Sequence, residues 1–297
     1  MQHNSILDLI GNTPLVRSKS LVRNPKVQLY FKMEGHNPGG SVKDRPALNM
    51  IKSALERHEI NHKTKLIEAT SGNTGIALAM IAGLFNLDME LVMPENSTKE
   101  RVQTMRAYGA KVTLTSSEIG IEGSRDYAEK KVEKEGYVML NQFANPDNWK
   151  AHYKTTGPEI WKDTDKGVTH FVSAMGTTGT IMGVSSFLKE KNSAVQIVGA
   201  QPTDNSSIPG IRKWPEAYLP KIFDASKVDR VIEISELEAR TMTKRLAREE
   251  GIFAGMSSGG SSAVAVKIAE EIEEGVIVCI ICDRGDRYLS SNLFEKI

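Results

Sequence analysis

Four short stretches concentrate the residue types that anion binding and amine chemistry require. Asn37-Pro38-Gly39-Gly40-Ser41-Val42-Lys43-Asp44-Arg45 puts one lysine at the start of a helix. The positive potential of a helix N-terminus lowers a nearby amine pKa, which favours Schiff-base chemistry. Gly176-Thr177-Thr178-Gly179-Thr180 combines two glycines, which permit close backbone approach, with three hydroxyls, and it precedes a helix. That is a phosphate cradle in composition and placement. Thr70-Ser71-Gly72-Asn73-Thr74-Gly75 has the same character as a second anion-binding turn. Gly255-Met256-Ser257-Ser258-Gly259-Gly260 leads into a helix expected to begin near Ser261. Each stretch taken alone is also what an ordinary capped strand-to-helix turn looks like. Neither a Walker loop nor GxGxxG occurs, so a nucleotide bound in those ways is not expected.

Two other patterns carry less. His58-Glu59-Ile60-Asn61-His62 matches HExxH, but that chemistry needs both histidines on one face of a continuing helix. Here the helix is expected to end within the motif, so no metal is expected. Cys279 and Cys282 are the chain's two cysteines. Three positions apart in a strand, they point to opposite faces, and Cys279 reads as core.

The elements that must position these turns alternate. Strands are expected over 27–34, 66–70, 89–94, 111–115, 137–143, 170–175, 196–202, 230–235 and 276–283. Most are continuous apolar runs, as in strands covered on both faces. Helices are expected over 75–85, 98–108, 179–191, 236–250 and 260–273. Ser97 and Glu100 suggest a capping box, and Gly109 a C-terminal cap. This order predicts an α/β protein with parallel sheets, whose ligands sit beyond the C-terminal strand ends.

Bulk composition excludes several classes. The chain has 297 residues, room for about two domains, with 40% hydrophobic and 25% charged residues. Lys plus Arg number 38 and Asp plus Glu 37, a formal charge of +1. This gives no bulk pull toward nucleic acid or an anionic membrane. No apolar run approaches the ~18 residues of a membrane helix. The first residues do not read as a signal peptide, and two cysteines cannot make a disulfide framework. The expected setting is cytoplasmic.

Taken together, in this order and spacing, the four turns resemble the cysteine synthase (O-acetylserine sulfhydrylase) family of pyridoxal-phosphate enzymes. Ile10-Gly11-Asn12-Thr13-Pro14-Leu15 and Asn141-Gln142-Phe143-Ala144-Asn145-Pro146 extend the resemblance through nearly the whole chain. The threonine-rich 176–180 turn, Ile208-Pro209-Gly210-Ile211-Arg212 and Cys282-Asp283-Arg284-Gly285-Asp286-Arg287-Tyr288-Leu289 are similar to the B-type isozyme. The link His58–Lys63 departs from the family's usual Gly-Glu-Ile-Lys-Pro-Gly, outside the site.

The resemblance implies the tryptophan-synthase-β-like fold (fold type II), with two parallel-sheet α/β domains and the active site in the cleft between them. The smaller domain would span 36–145, and the larger 1–35 plus 146–297. It implies pyridoxal 5'-phosphate as cofactor, with Lys43 holding it and acting as the catalytic base. Gly176, Thr177, Thr178, Gly179 and Thr180 would grip its phosphate, Asn73 its ring hydroxyl and Ser257 its pyridine nitrogen. Thr70, Ser71, Thr74 and Gln142 would bind the substrate carboxylate, and Cys282 would lie near the site. The implied reaction replaces the acetoxy group of O-acetyl-L-serine by sulfide. A neutral Ser257 makes a weaker electron sink than a carboxylate partner would, which suits immediate β-elimination over transamination. Arg212, whose planar fork suits an oxyanion, would admit thiosulfate as a second donor. The alternatives are cystathionine β-synthase or a serine/threonine dehydratase of the same fold. A homodimer is expected, with only small-molecule substrates as further partners.

Overall fold

The computed structural model describes residues 2–295. Its larger sheet has six strands in the order β1 (Leu15–Arg17), β2 (Val27–Met33), β9 (Gly275–Ile281), β6 (His170–Ala174), β7 (Gln196–Pro202) and β8 (Arg230–Ile234). All neighbours run parallel except β1, which hangs antiparallel on β2. The smaller sheet is β3 (Lys65–Ala69), β4 (Asp88–Pro94) and β5 (Lys111–Thr115), all parallel. β9, Gly-Val-Ile-Val-Cys-Ile-Ile, lies between β2 and β6, and its second half is buried. Its unbroken apolar run is what a strand covered on both faces requires.

The helices are α1 (Asp44–Glu56), α2 (Asn73–Leu84), α3 (Lys99–Ala107), α4 (Gly120–Glu135), α5 (Pro146–Lys154), α6 (Thr156–Asp163), α7 (Gly179–Lys191), α8 (Glu236–Glu249) and α9 (Met256–Glu271). α2 is apolar around its circumference and buried from Thr74 to Ala82, the pattern of an interior helix. Separate clusters of core result. One, from Ala47 to Leu140, includes Met50, Leu66, Leu78 and Ile81 and packs the smaller sheet. The others, built on Leu29, Phe31, Val198 and Ile277 and on Phe171, Ile181 and Val278, cover the two faces of the larger sheet. Each fully buried side chain of this size contributes about 1.5–3 kcal/mol. No described helix is long and apolar enough to cross a membrane.

The expected strands and helices are found within a residue or two of their positions, with instructive exceptions. Residues 137–143 do not form a strand: only Val138 bridges Leu66. The chain then turns at Asn141, in the left-handed region at φ +54°, toward the Asn145 cap and Pro146 that start α5. α9 begins at Met256, not near Ser261. Gly259 and Gly260 are helical, and a Cβ on Gly259 would overlap Thr243 and the Ala239 carbonyl of α8. Gly259 serves close helix packing and Gly260 the approach of Ile211, rather than a turn. The capping box does not form. Thr98 caps α3 with no side-chain bond, while Glu100 accepts from the Ser290 hydroxyl at 2.9 Å. Gly109 does follow α3 in the left-handed region, its N–H donating to the Arg106 carbonyl.

α1 ends at Glu56, before HExxH begins, and His58 has φ +59°. The two histidines therefore share no helix face. Among the described residues no group of His, Cys, Asp or Glu could hold a metal. Cys279 joins the core on one face of the larger sheet, and Cys282 packs against the core on the other.

Candidate active site

Three of the glycine-rich stretches follow parallel strands at their C-terminal ends, where such sheets bind ligands; the fourth, 255–260, follows α8 rather than a strand, and the Ala254–Arg284 bridge brings it to the end of β9. The Lys43 stretch is stitched to the end of β9: Ser41 bridges Asp283, and the Val42 N–H donates to the Cys282 carbonyl at 2.8 Å. Lys43 is the cap residue of α1. Burial pushes its amine below the ordinary lysine value, while Cys282 and Asp283 pull the other way. Among the described residues its Nζ has no hydrogen-bond or ion-pair partner, a free amine at a helix N-terminus.

Beneath Lys43 the next turn of α1 is anchored by an ion network. Arg45 donates to both oxygens of Glu34, each at 2.7 Å, and to both of Glu159 at 2.6 and 2.8 Å. The fully buried Lys32 pairs with Glu159 at 2.9 Å. Burial alone would raise the Glu159 carboxyl, but the bonds and charge of Arg45, with Lys32, hold it at about 2. Behind Lys43, burial pushes the Asp44 carboxyl up to about 7 against the Gly39 N–H and Arg287.

The 176–180 turn leads from β6 into α7. Thr178 caps α7 in the left-handed conformation (φ +69°), and its hydroxyl is buried with no partner among the described residues. A Cβ on Gly176 would lie 2.8 Å from the Gly210 carbonyl, and one on Gly179 would overlap the Asn148 carboxamide. Both positions must be glycine. Thr180 contacts Nε2 of the buried His152 at 3.3 Å, whose Nδ1 meets Thr156 at 2.9 Å. Burial, with Arg45 and Lys43 adding, drives His152 well below its usual value, so it stays neutral.

The first turn of α2 carries the other predicted contacts. Thr74 donates to the Gln142 carboxamide oxygen at 2.7 Å, and both are buried. The Thr70 hydroxyl accepts the Gly72 N–H at 3.4 Å, and the Ser71 carbonyl accepts from Arg101. Asn73 donates to Asp283 at 2.7 Å and accepts from Arg287. Ser257 is buried in the first turn of α9, beside Gly210 and Cys282. Burial, with Asp283 adding, pushes the Cys282 thiol up to about 12, so it is not a nucleophile at neutral pH.

The structure thus brings Lys43, Asn73, Ser257 and the 176–180 turn around the end of the larger sheet, with Thr70, Ser71, Thr74 and Gln142 facing from the smaller one. Arg212 is only partly in this group. Its backbone N–H bonds the Met175 carbonyl at 2.8 Å, but its exposed guanidinium lies over Trp214, 5.3 Å from the ring centre. Trp214 in turn donates to the Gly176 carbonyl at 2.7 Å.

Sequence reasoning misses three residues that the structure places in contact with the predicted site. Asn148 donates to the Gln142 carbonyl (2.6 Å) and contacts the Thr177 hydroxyl (3.2 Å), joining the two halves. His152 orients Thr180. Asp283, accepting from Asn73 and from Tyr288 at 2.6 Å, has its other oxygen buried and unpartnered. Its place directly after the apolar run of β9 is the signal that could have found it.

A lysine-bound phosphate cofactor fits this arrangement. The amine is depressed and without a partner among the described residues, and an unpartnered buried hydroxyl, that of Thr178, sits at the N-terminus of α7. The pyridoxal-phosphate dependent enzyme family matches the chain over residues 6–283. Cysteine synthase B of Pseudomonas aeruginosa is 58% identical over 296 residues, 99% of each chain. Cysteine synthase B of Escherichia coli is 54% identical over 287 residues, 97% of this chain and 95% of that one. Among solved structures, a cysteine synthase from Entamoeba histolytica superposes with a TM-score of 0.95 at 35% identity, over 100% of this chain and 92% of that one. O-ureido-L-serine synthase gives 0.94 at 38% identity, over 100% and 96%. The fold is accordingly fold type II, and the chain belongs to the pyridoxal-phosphate dependent enzymes, within the cysteine synthase B branch.

Proposed function

We propose that the protein makes cysteine by replacing the acetoxy group of O-acetyl-L-serine with sulfide, using pyridoxal 5'-phosphate held at Lys43. The observation that carries this reading is the free, pKa-depressed amine of Lys43 set between a phosphate cradle and a carboxylate-binding turn. Bound there, the cofactor supplies the electron sink for bond breaking at the substrate's α-carbon.

The chain's own residues do the rest. The 176–180 turn and the α7 N-terminus would hold the phosphate, Asn73 would meet the ring hydroxyl, and Ser257 would meet the pyridine nitrogen without imposing a charge. Thr70, Ser71, Thr74 and Gln142 hold the substrate carboxylate. Once displaced by substrate, the Lys43 amine takes the α-proton as general base. Acetate departs from the β-carbon with the bonding electrons, hydrosulfide adds there, and Lys43 returns the proton to the α-carbon. Cys282, held as a thiol, does not compete as a nucleophile.

Residues 36–145, with their own sheet and core, form the smaller of two units, and 1–35 plus 146–297 the larger; the separate cores support this division. Arg212, stacked on Trp214 beside the phosphate turn, admits thiosulfate as an alternative donor. Family likeness supports a homodimer acting in the cytoplasm on small molecules, and sedimentation would report the former.

One preparation given O-acetylserine tests the function. Cysteine should form with sulfide, and S-sulfocysteine with thiosulfate. Accumulation of cystathionine with homocysteine, or of an α-keto acid without added nucleophile, as the main product would contradict it.

A further inference from the structure

Glu68 occupies a position where a charge is costly. It lies in β3, 3% exposed, paired across the sheet with Leu91 and following the buried Leu66 and Ile67. Among the described residues it forms no ion pair. Burial pushes its carboxyl up to about 7, against the N–H groups of Asn141, Gln142 and Leu140 and the more distant charge of Arg125. An uncompensated buried carboxylate is expensive, and an apolar side chain in a sheet interior is not.

What this carboxylate faces is one short loop. The Asn141 N–H donates to Oε2 at 3.1 Å, and the N–H groups of Gln142 and Leu140 favour the charged form of the same side chain. Asn141 holds φ +54°, the left-handed region that asparagine adopts more readily than other non-glycine residues. The next residue is Gln142, fixed on its far side by Asn148 and by Thr74.

We infer that Glu68 is a positioning residue: its carboxylate sets the backbone of residues 140–142 so that Gln142, together with Thr74, is presented to the substrate carboxylate. This rests on Gln142 being a ligand of that carboxylate. Glu68 itself touches no reacting atom, so its loss weakens substrate capture more than turnover.

A double-mutant cycle read by the KM for O-acetylserine and by kcat separates positioning from general support. Gln142→Ala should raise KM about tenfold, the scale of one lost charge-assisted bond. Glu68→Gln, nearly isosteric, turns an N–H2 toward the row of amide donors and should raise KM about fivefold, with kcat changed less than about threefold. The double variant should match Gln142→Ala within about twofold, since Glu68 acts through Gln142. Multiplying single effects, or an unchanged KM in Glu68→Gln, overturns the inference. An unchanged KM in Gln142→Ala removes the carboxylate reading and this inference with it. Should Glu68→Gln not fold, Glu68→Asp, which keeps the charge and withdraws it by one methylene, replaces it with the same expectations.

Discussion

The proposed phosphate turn and the proposed substrate turn look alike in sequence, both glycine- and hydroxyl-rich strand-to-helix links, yet they are held differently. In the phosphate turn the glycines are dictated by neighbours: Gly210 and Asn148 fill the space beside Gly176 and Gly179. In the substrate turn Gly75 is confined by the Met105 and Thr70 side chains, but a Cβ on Gly72 would meet nothing within 4 Å, and side chains reach in, from Gln142 to Thr74 and from Asp283 and Arg287 to Asn73. The first turn is confined at both glycines, with bonds from Trp214, Asn148 and His152 added, whereas the second is open at Gly72 and is held there by side-chain hydrogen bonds. A permanent cofactor suits the first, and a substrate that must enter and leave suits the second.

Perturbing each turn separately sharpens this contrast. Gly179→Ala should be the most damaging change. Overlap with Asn148 costs about 1–3 kcal/mol or more, and both melting temperature and cofactor content should fall. An intact holoenzyme from this variant would break the contrast. Glu159→Gln, in the network under Lys43, should cost about 3 kcal/mol at pH 7, the equivalent of a shift from 4.5 to about 2. Because the folded value is depressed, that stability is present above pH 4.5 and fades as the pH falls toward 2. Denaturant melts of the two proteins should therefore converge at low pH.

On the substrate side, Thr74→Val should raise the KM for O-acetylserine several-fold, from a lost buried hydrogen bond of about 1 kcal/mol. Cofactor content, measured by visible absorbance, should stay unchanged. Gly72→Ser should have the smallest effect, within about 0.5 kcal/mol in stability, because the position is open, has an ordinary φ and caps a helix where serine is favoured.

Much of the fold and most of the site are legible in the amino-acid sequence. Parallel strands show as apolar runs, and glycine with hydroxyls marks the turns, because those signals are local. What the sequence hides depends on distant partners. Asn148 reads as a polar residue in a short helix until α5 is seen against Gln142 and Thr177. Glu68 interrupts an apolar strand without declaring a purpose, since the loop it holds lies far along the chain. The glycines of 255–260 mislead in the other direction. Gly259 is small because α8 comes close, Gly260 because Ile211 does and Gly255 because Asp283 and Tyr288 do, and composition cannot distinguish that from a turn.

The central claim is a covalent link between the cofactor and one particular amine. Borohydride reduction of the purified holoenzyme, followed by peptide mass mapping, tests it directly. A pyridoxyl group on Lys43 is the predicted outcome. No label, or label on another lysine with activity intact, would contradict the account.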